Sequence, residues 1–71
     1  MTEVQFQIQG MHCDHCAMRV QKALASVPGV ARAVVTLQSG RARVEYDEGT
    51  ATAQALTDAV AKAGYSASVA G

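Results

Sequence analysis

The chain has 71 residues, enough for one modest hydrophobic core and too few for a second domain. Nearly half of the residues are hydrophobic, yet only one Phe, two Tyr and no Trp are among them, so the core has to be aliphatic and the fold a thin one of two layers. Six basic side chains balance six acidic ones, which excludes the broad positive field that nucleic-acid binding needs and leaves partner choice to local charge.

From Val4 to Gln9 apolar and polar residues alternate, with Val4, Phe6 and Ile8 on one side and Gln5, Gln7 and Gln9 on the other, the pattern of a half-buried strand. Gly10 ends it. From Cys16 onward Cys16, Val20, Ala23, Leu24 and Val27 recur at helical spacing, with Met18, Gln21, Lys22 and Ala25 on the opposite face, and Pro28-Gly29 stops the helix. A second strand places Ala33, Val35 and Leu37 against Arg32, Val34 and Thr36. After a turn at Gln38, Ser39 and Gly40, a third strand sets Ala42, Val44 and Tyr46 against Arg41, Arg43 and Glu45, making a hairpin. A Thr50 or Thr52 cap then opens a second helix, whose inward residues are Ala53, Leu56, Val60 and Ala63 and which Gly64 closes. A short last strand runs from Tyr65 to Val69. This order predicts an α+β fold, the split βαβ or ferredoxin-like βαββαβ sandwich, with a four-stranded antiparallel sheet and two helices on one face.

No apolar run approaches the roughly 20 residues needed to cross a bilayer, and no charged start leading into an apolar run marks a signal peptide. A cytoplasmic protein without direct membrane insertion is expected. Two cysteines three positions apart cannot staple a fold, since the loop they would close is too short to remove much unfolded-state entropy. In a reducing compartment they should be free thiols.

Every Cys and His of the chain falls within His12-Cys13-Asp14-His15-Cys16, at the junction of the first strand and first helix. Thiolates are soft donors that favour copper(I), mercury(II), cadmium(II) and zinc(II) over magnesium or calcium. A closed structural zinc site needs four protein ligands, whereas His12 and His15 each adjoin a cysteine and are poorly placed to converge with it on one ion. Two thiolates on a loop better match copper(I), which accepts low coordination numbers, or mercury(II). A Cys-x-x-Cys near a βαβ pattern also suggests a dithiol oxidoreductase of the thioredoxin type. The chain is short for that, and lacks the Trp that usually leads such a motif and a proline-bearing loop to face it.

Taken together, Gly10-Met11-x-Cys13-x-x-Cys16, Ala23-Leu24, Pro28-Gly29-Val30, Val35-x-Leu37 and Ala63-Gly64-Tyr65 resemble the heavy-metal-associated domain. The resemblance runs from Val4 to about Val69, making residues 1–71 a single such domain, and it favours a free-standing bacterial copper chaperone over a module of a metal-pumping ATPase. It implies a non-enzymatic carrier that holds Cu(I) through Cys13 and Cys16 and delivers it to the similar domain of a copper-transporting P-type ATPase. The carrier would be a monomer, or a homodimer bridged by metal. A mercury or zinc/cadmium carrier of the same fold is the alternative. His12 departs from the Thr or Ser common in the family.

Around this motif, Cys16 stands at the helix start, where the macrodipole should depress its pKa, and Cys13 should be the more exposed thiol; Asp14 opposes the depression. Met11 is read as flexible packing beneath the cysteines. His12 and His15 are read as solvated loop residues, with His15 the better placed to support a thiolate or to supply a third ligand in a dimer. Tyr65 either caps the edge of the core or, as the resemblance implies, stands near sulfur. Arg32, Arg41 and Arg43 form a solvated sheet face, while Arg19 and Lys22, near the cysteines on the first helix, are placed to steer docking.

Overall fold

A computed structural model describes residues 2–70 of the chain. Its elements are β1 (Thr2–Gln9), α1 (Asp14–Ala25), β2 (Val30–Thr36), β3 (Arg41–Tyr46), α2 (Ala53–Lys62) and β4 (Ser66–Val69). The strands form one sheet in the order β2-β3-β1-β4, with every neighbouring pair antiparallel. Because β3 separates β1 from β2, and β1 separates β3 from β4, the two βαβ units interleave, which is the expected ferredoxin-like arrangement.

Alternation sets the two faces of the sheet. Phe6 and Ile8 of β1 and Ala42, Val44 and Tyr46 of β3 are buried, and they join Val20 and Leu24 of α1, Ala51, and Leu56 and Val60 of α2 in one cluster. Both helices therefore cover the same side of the sheet. Ala33 and Val35 of β2 and Ala67 of β4 pack against this cluster from the edges. No buried polar or charged side chain interrupts the core among the described residues, so its stability comes from apolar burial. On the outer side, Arg32, Arg41 and Arg43 are exposed as expected, and Arg43 pairs with Glu3 at 2.8 Å.

Several boundaries differ from the pattern reading. The first helix begins at Asp14 rather than Cys16, because Cys16 and Ala17 already direct their N–H groups to the Cys13 carbonyl. Leu37 leaves the second strand to begin the hairpin turn, in which the Gly40 N–H reaches the Leu37 carbonyl at 3.1 Å. Of the two threonines, Thr52 is the cap: its Oγ1 accepts the Ala55 N–H at 3.1 Å, whereas Thr50 donates to Asp47 at 3.3 Å. Tyr65 stays outside the last strand, its N–H spent on the Val60 carbonyl that closes α2.

Candidate metal centre

The site grows out of the end of β1. Gly10 turns the chain at φ +97°, a conformation that side chains resist, and a Cβ there would meet the Tyr65 ring at 3.3 Å. Two constraints thus ask for glycine at this position: the turn, and the close approach of an aromatic ring from the other end of the chain. Met11 then packs partly buried against the core, as expected for a flexible filler beneath the loop.

Cys13 is the extended N-cap of α1, and its side chain makes no capping hydrogen bond. Its carbonyl accepts the Cys16 N–H at 3.0 Å and the Ala17 N–H at 3.2 Å, winding the first turn so that the Cys13 and Cys16 sulfurs approach to 3.5 Å. Both are free thiols; Cys13 is exposed and Cys16 half-buried, the order that the loop position predicts. The separation lies within the span of two metal–thiolate bonds of about 2.3 Å each, so one ion can reach both sulfurs.

The electrostatics favour the charged form of one thiol. Cys16 is lowered from 9.0 to about 7, first by the backbone N–H of His12, then by the Tyr65 hydroxyl and the Cys13 thiol; partial desolvation works against them. The expected direction holds, but its largest cause is one specific amide in the loop ahead of the helix. Asp14 is not among the groups acting on the sulfur.

Tyr65 turns out to satisfy both of its readings. Its ring packs against the core. Its own pKa is raised, first by interaction with the Cys16 thiol and then by desolvation, while Arg19 works in the opposite direction. Sequence reasoning did not connect Arg19 to Tyr65, although its position three residues after Cys16 on the helix puts it on the neighbouring stretch of surface. His12 and His15 are exposed, and His12 acts on Cys16 through its backbone rather than its imidazole. Among the described residues no group of three or more His, Cys, Asp and Glu side chains converges as a metal cage. What the chain brings together is two sulfurs, a loop amide and a tyrosine hydroxyl.

The family model for the heavy-metal-associated domain matches residues 5–66. Over 59 residues the chain is 39% identical to the copper chaperone CopZ of Staphylococcus saprophyticus, covering 83% of this chain and 87% of that one. It is 51% identical over 61 residues, 86% of its length, to copper-transporting ATPase 2 of Rhizobium meliloti, and 50% identical over 64 residues, 90% of its length, to the mercuric reductase of Serratia marcescens. The chain spans only 7% of that ATPase and 14% of that reductase. Among solved structures, a copper binding domain from HMA7, a P-type ATPase, superposes with a TM-score of 0.98 at 31% identity, covering 100% of this chain and 96% of that one. Oxidized MerP from Ralstonia metallidurans CH34 gives 0.95 at 37% identity, covering 99% and 97%.

Proposed function

Because the chain belongs to the heavy-metal-associated domain family, we propose that it is a cytoplasmic copper(I) chaperone, which holds a single ion between Cys13 and Cys16 and passes it to the metal-binding domain of a copper-transporting P-type ATPase. The observation that carries this reading is the pair of sulfurs 3.5 Å apart on an exposed helix start, with no further ligand group beside them among the described residues. Soft thiolates select copper(I), and a site with only two of them suits an ion content with few ligands. The copper-named relatives support the same choice of metal.

The geometry also suits release. Loading displaces thiol protons, and Cys16, lowered to about 7, loses its proton near neutral pH at little cost. Cys13 lies on the surface, where an incoming thiolate from the acceptor can reach the ion before a donor sulfur leaves. Each step replaces one copper–sulfur bond by another, so the ion is never set free and no redox change occurs.

Titration of the reduced protein against a competing copper(I) chelator tests the assignment: saturation at one copper per chain is expected, and equimolar zinc should fail to displace it for want of ligands to complete a tetrahedron. Displacement by zinc would make a zinc carrier the better account. A second reading, mercury(II) capture, draws on the likeness to the mercuric reductase and MerP. The metal recovered with the protein after anaerobic isolation, together with the sensitivity of cells lacking it to copper and to mercury salts, separates the two. Copper on the protein and copper sensitivity without it are the expected results.

A further inference from the structure

We propose that β2 is a pairing edge for a second copy of this chain, and that two copies join their sheets antiparallel about a two-fold axis at Val34, with the Met18 side of α1 closing over the seam. Such a dimer needs no metal and leaves both metal loops free, so it goes beyond the carrier reading and does not depend on which ion is carried.

Both outer strands of the sheet present unpaired backbone groups, but they are not equally protected. β4 is four residues long, Ser66–Val69, too short to template much pairing. β2 runs for seven, Val30–Thr36, and nothing among the described residues pairs with its outer side. Its protective features, the bulge between Val30 and Arg32 and the charge of Arg32 itself, are confined to its first half. Ala33, Val34, Val35 and Thr36 follow without a charge, a proline or a glycine. The apolar layer is also unfinished here. Ala42 and Val44 of β3 are fully buried, whereas Val35 and Ala33 beside them are only partly covered, and Val34 is 40% exposed on the opposite face.

The helix above this edge is incomplete on the same side. α1 lies against β2, and α2 against β4. Ala23 and Val27 turn toward α2, where they share a groove with Ala55 and Ala59. With 3.6 residues per turn, Ala23 stands roughly 60° to one side of the buried Val20, and Gln21, Ala25 and Met18 stand roughly 100–160° to the other. That second flank overhangs the β2 edge. It carries Met18, which is 69% exposed, more than Val34 or Val69.

A second copy completes both layers at once. With Val34 opposite Val34 across the axis, Arg32 falls opposite Thr36 and Ala33 opposite Val35, so no like charges meet and the apolar inner face continues from one sheet into the next. The two α1 helices then run antiparallel over the seam. Asp14 in the first turn of each lies toward Lys22 in the last turn of the other, and helix ends of opposite polarity adjoin. A different protein would have to supply the same complement, a strand edge with a helix above it, which this chain already holds. The metal loop stays out of the seam. β2 ends at the turn whose Gly40 carbonyl accepts the Ile8 N–H at 2.7 Å, so its Thr36 end and the loop after β1 share one end of the molecule. Antiparallel pairing sends these ends apart and places the two cysteine pairs at opposite ends of the dimer.

Sedimentation equilibrium of the reduced, metal-free protein from about 10 μM to about 1 mM tests this. A monomer–dimer equilibrium is expected for the parent chain, and equally for Cys13→Ser/Cys16→Ser, which lacks both thiolates. Val34→Lys and Val34→Glu each set like charges against each other at the axis and should weaken self-association at least about tenfold, with copper affinity unchanged. An equimolar mixture of the two should associate again, as a heterodimer. Val34 stands outside the core, so both variants keep the fold, which circular dichroism checks. Met18→Gln should weaken association about tenfold through lost apolar contact. A parent chain that stays monomeric throughout would overturn the proposal. So would Val34 variants or Met18→Gln that associate as the parent does, or a mixture that fails to recover. Loss of the dimer in Cys13→Ser/Cys16→Ser would assign association to the metal loop and overturn it too. None of these outcomes touches copper binding, so the carrier reading stands or falls on its own titration.

Discussion

Both helices start from an extended cap residue that follows a sheet strand, Cys13 at φ −156° and ψ 169° and Thr52 at φ −127° and ψ 159°, at equivalent places in the two interleaved βαβ units. At Thr52 the side-chain oxygen accepts the Ala55 N–H at 3.1 Å, so a free donor of the helix end is satisfied within the chain. At Cys13 the side chain makes no such bond, and the loop amide of His12 acts on the Cys16 sulfur instead. One backbone solution thus serves two purposes. At α2 the helix start is closed for stability, while at α1 it is left open and a loop amide just ahead of it supports a thiolate.

The strongest way to break this comparison is to convert the open cap into a closed one. Cys13→Ser should lower copper(I) affinity by more than the roughly 100-fold that loss of an outer-shell partner costs, because one of two soft ligands becomes a hydroxyl. Serine is also a good N-cap, so the metal-free variant should become more stable, by up to about 1 kcal/mol. Chelator competition and urea unfolding read these opposite changes on one protein. Cys16→Ser should lose affinity just as severely without the gain, since Cys16 lies inside the first turn rather than at the cap. A Cys13→Ser protein that kept its copper affinity would remove Cys13 from the site.

A smaller effect sharpens the other side of the comparison. Thr52→Ala removes the hydroxyl that accepts from Ala55 and should cost about 1 kcal/mol in urea unfolding, with copper affinity unchanged. If copper affinity fell as well, the two helix starts would be coupled through the core and could not be treated as separate devices.

How much of this was legible beforehand follows from the range of the interactions. Strand alternation is a period-two signal and the helix faces a 3.6-residue one, so Phe6, Ile8, Val20, Leu24, Val44, Leu56 and Val60 could be placed in the core from the sequence, and all of them are buried. The Cys13 and Cys16 pair was equally visible, being local, and the fold brings its sulfurs together. Choosing between Thr50 and Thr52 required knowing which hydroxyl faced a free amide, which a pattern of residue types does not encode. The surroundings of Cys16 were harder still. Tyr65 arrives from a position 49 residues away, carried by the pairing of β4 with β1 and by the space Gly10 leaves for its ring. The resemblance to the family hinted at its place, but the influence of Arg19 on its hydroxyl is a product of tertiary packing. Met18 read simply as a residue on the outer helix face, and only the extent of its exposure marks it out.

The pH dependence of the metal-free protein should be the smallest of these effects, because Cys16 is only half-buried at the surface and its interactions are partly screened by solvent. Below about pH 7 the Cys16 thiol is protonated in both the folded and unfolded chain, and it contributes nothing to the difference. Between about pH 7 and 9.0 the folded protein has released that proton while the unfolded chain still holds it, so the unfolded state binds more protons and stability rises with pH. The contribution is complete above 9.0 and disappears as the pH falls through about 7. Urea midpoints measured across this window under reducing conditions should climb for the parent protein and flatten for Cys16→Ser, whereas Thr52→Ala should lie lower but run parallel to the parent. Tyr65→Phe supplies the finer control. It keeps the ring that packs on Gly10 and removes only the hydroxyl, the second-largest influence on Cys16, so ultraviolet titration of the thiolate should show its midpoint moving up from about 7 while the His12 amide keeps it below 9.0. An unmoved midpoint would leave Tyr65 a packing residue alone, and would assign the tuning of the open helix start to its backbone.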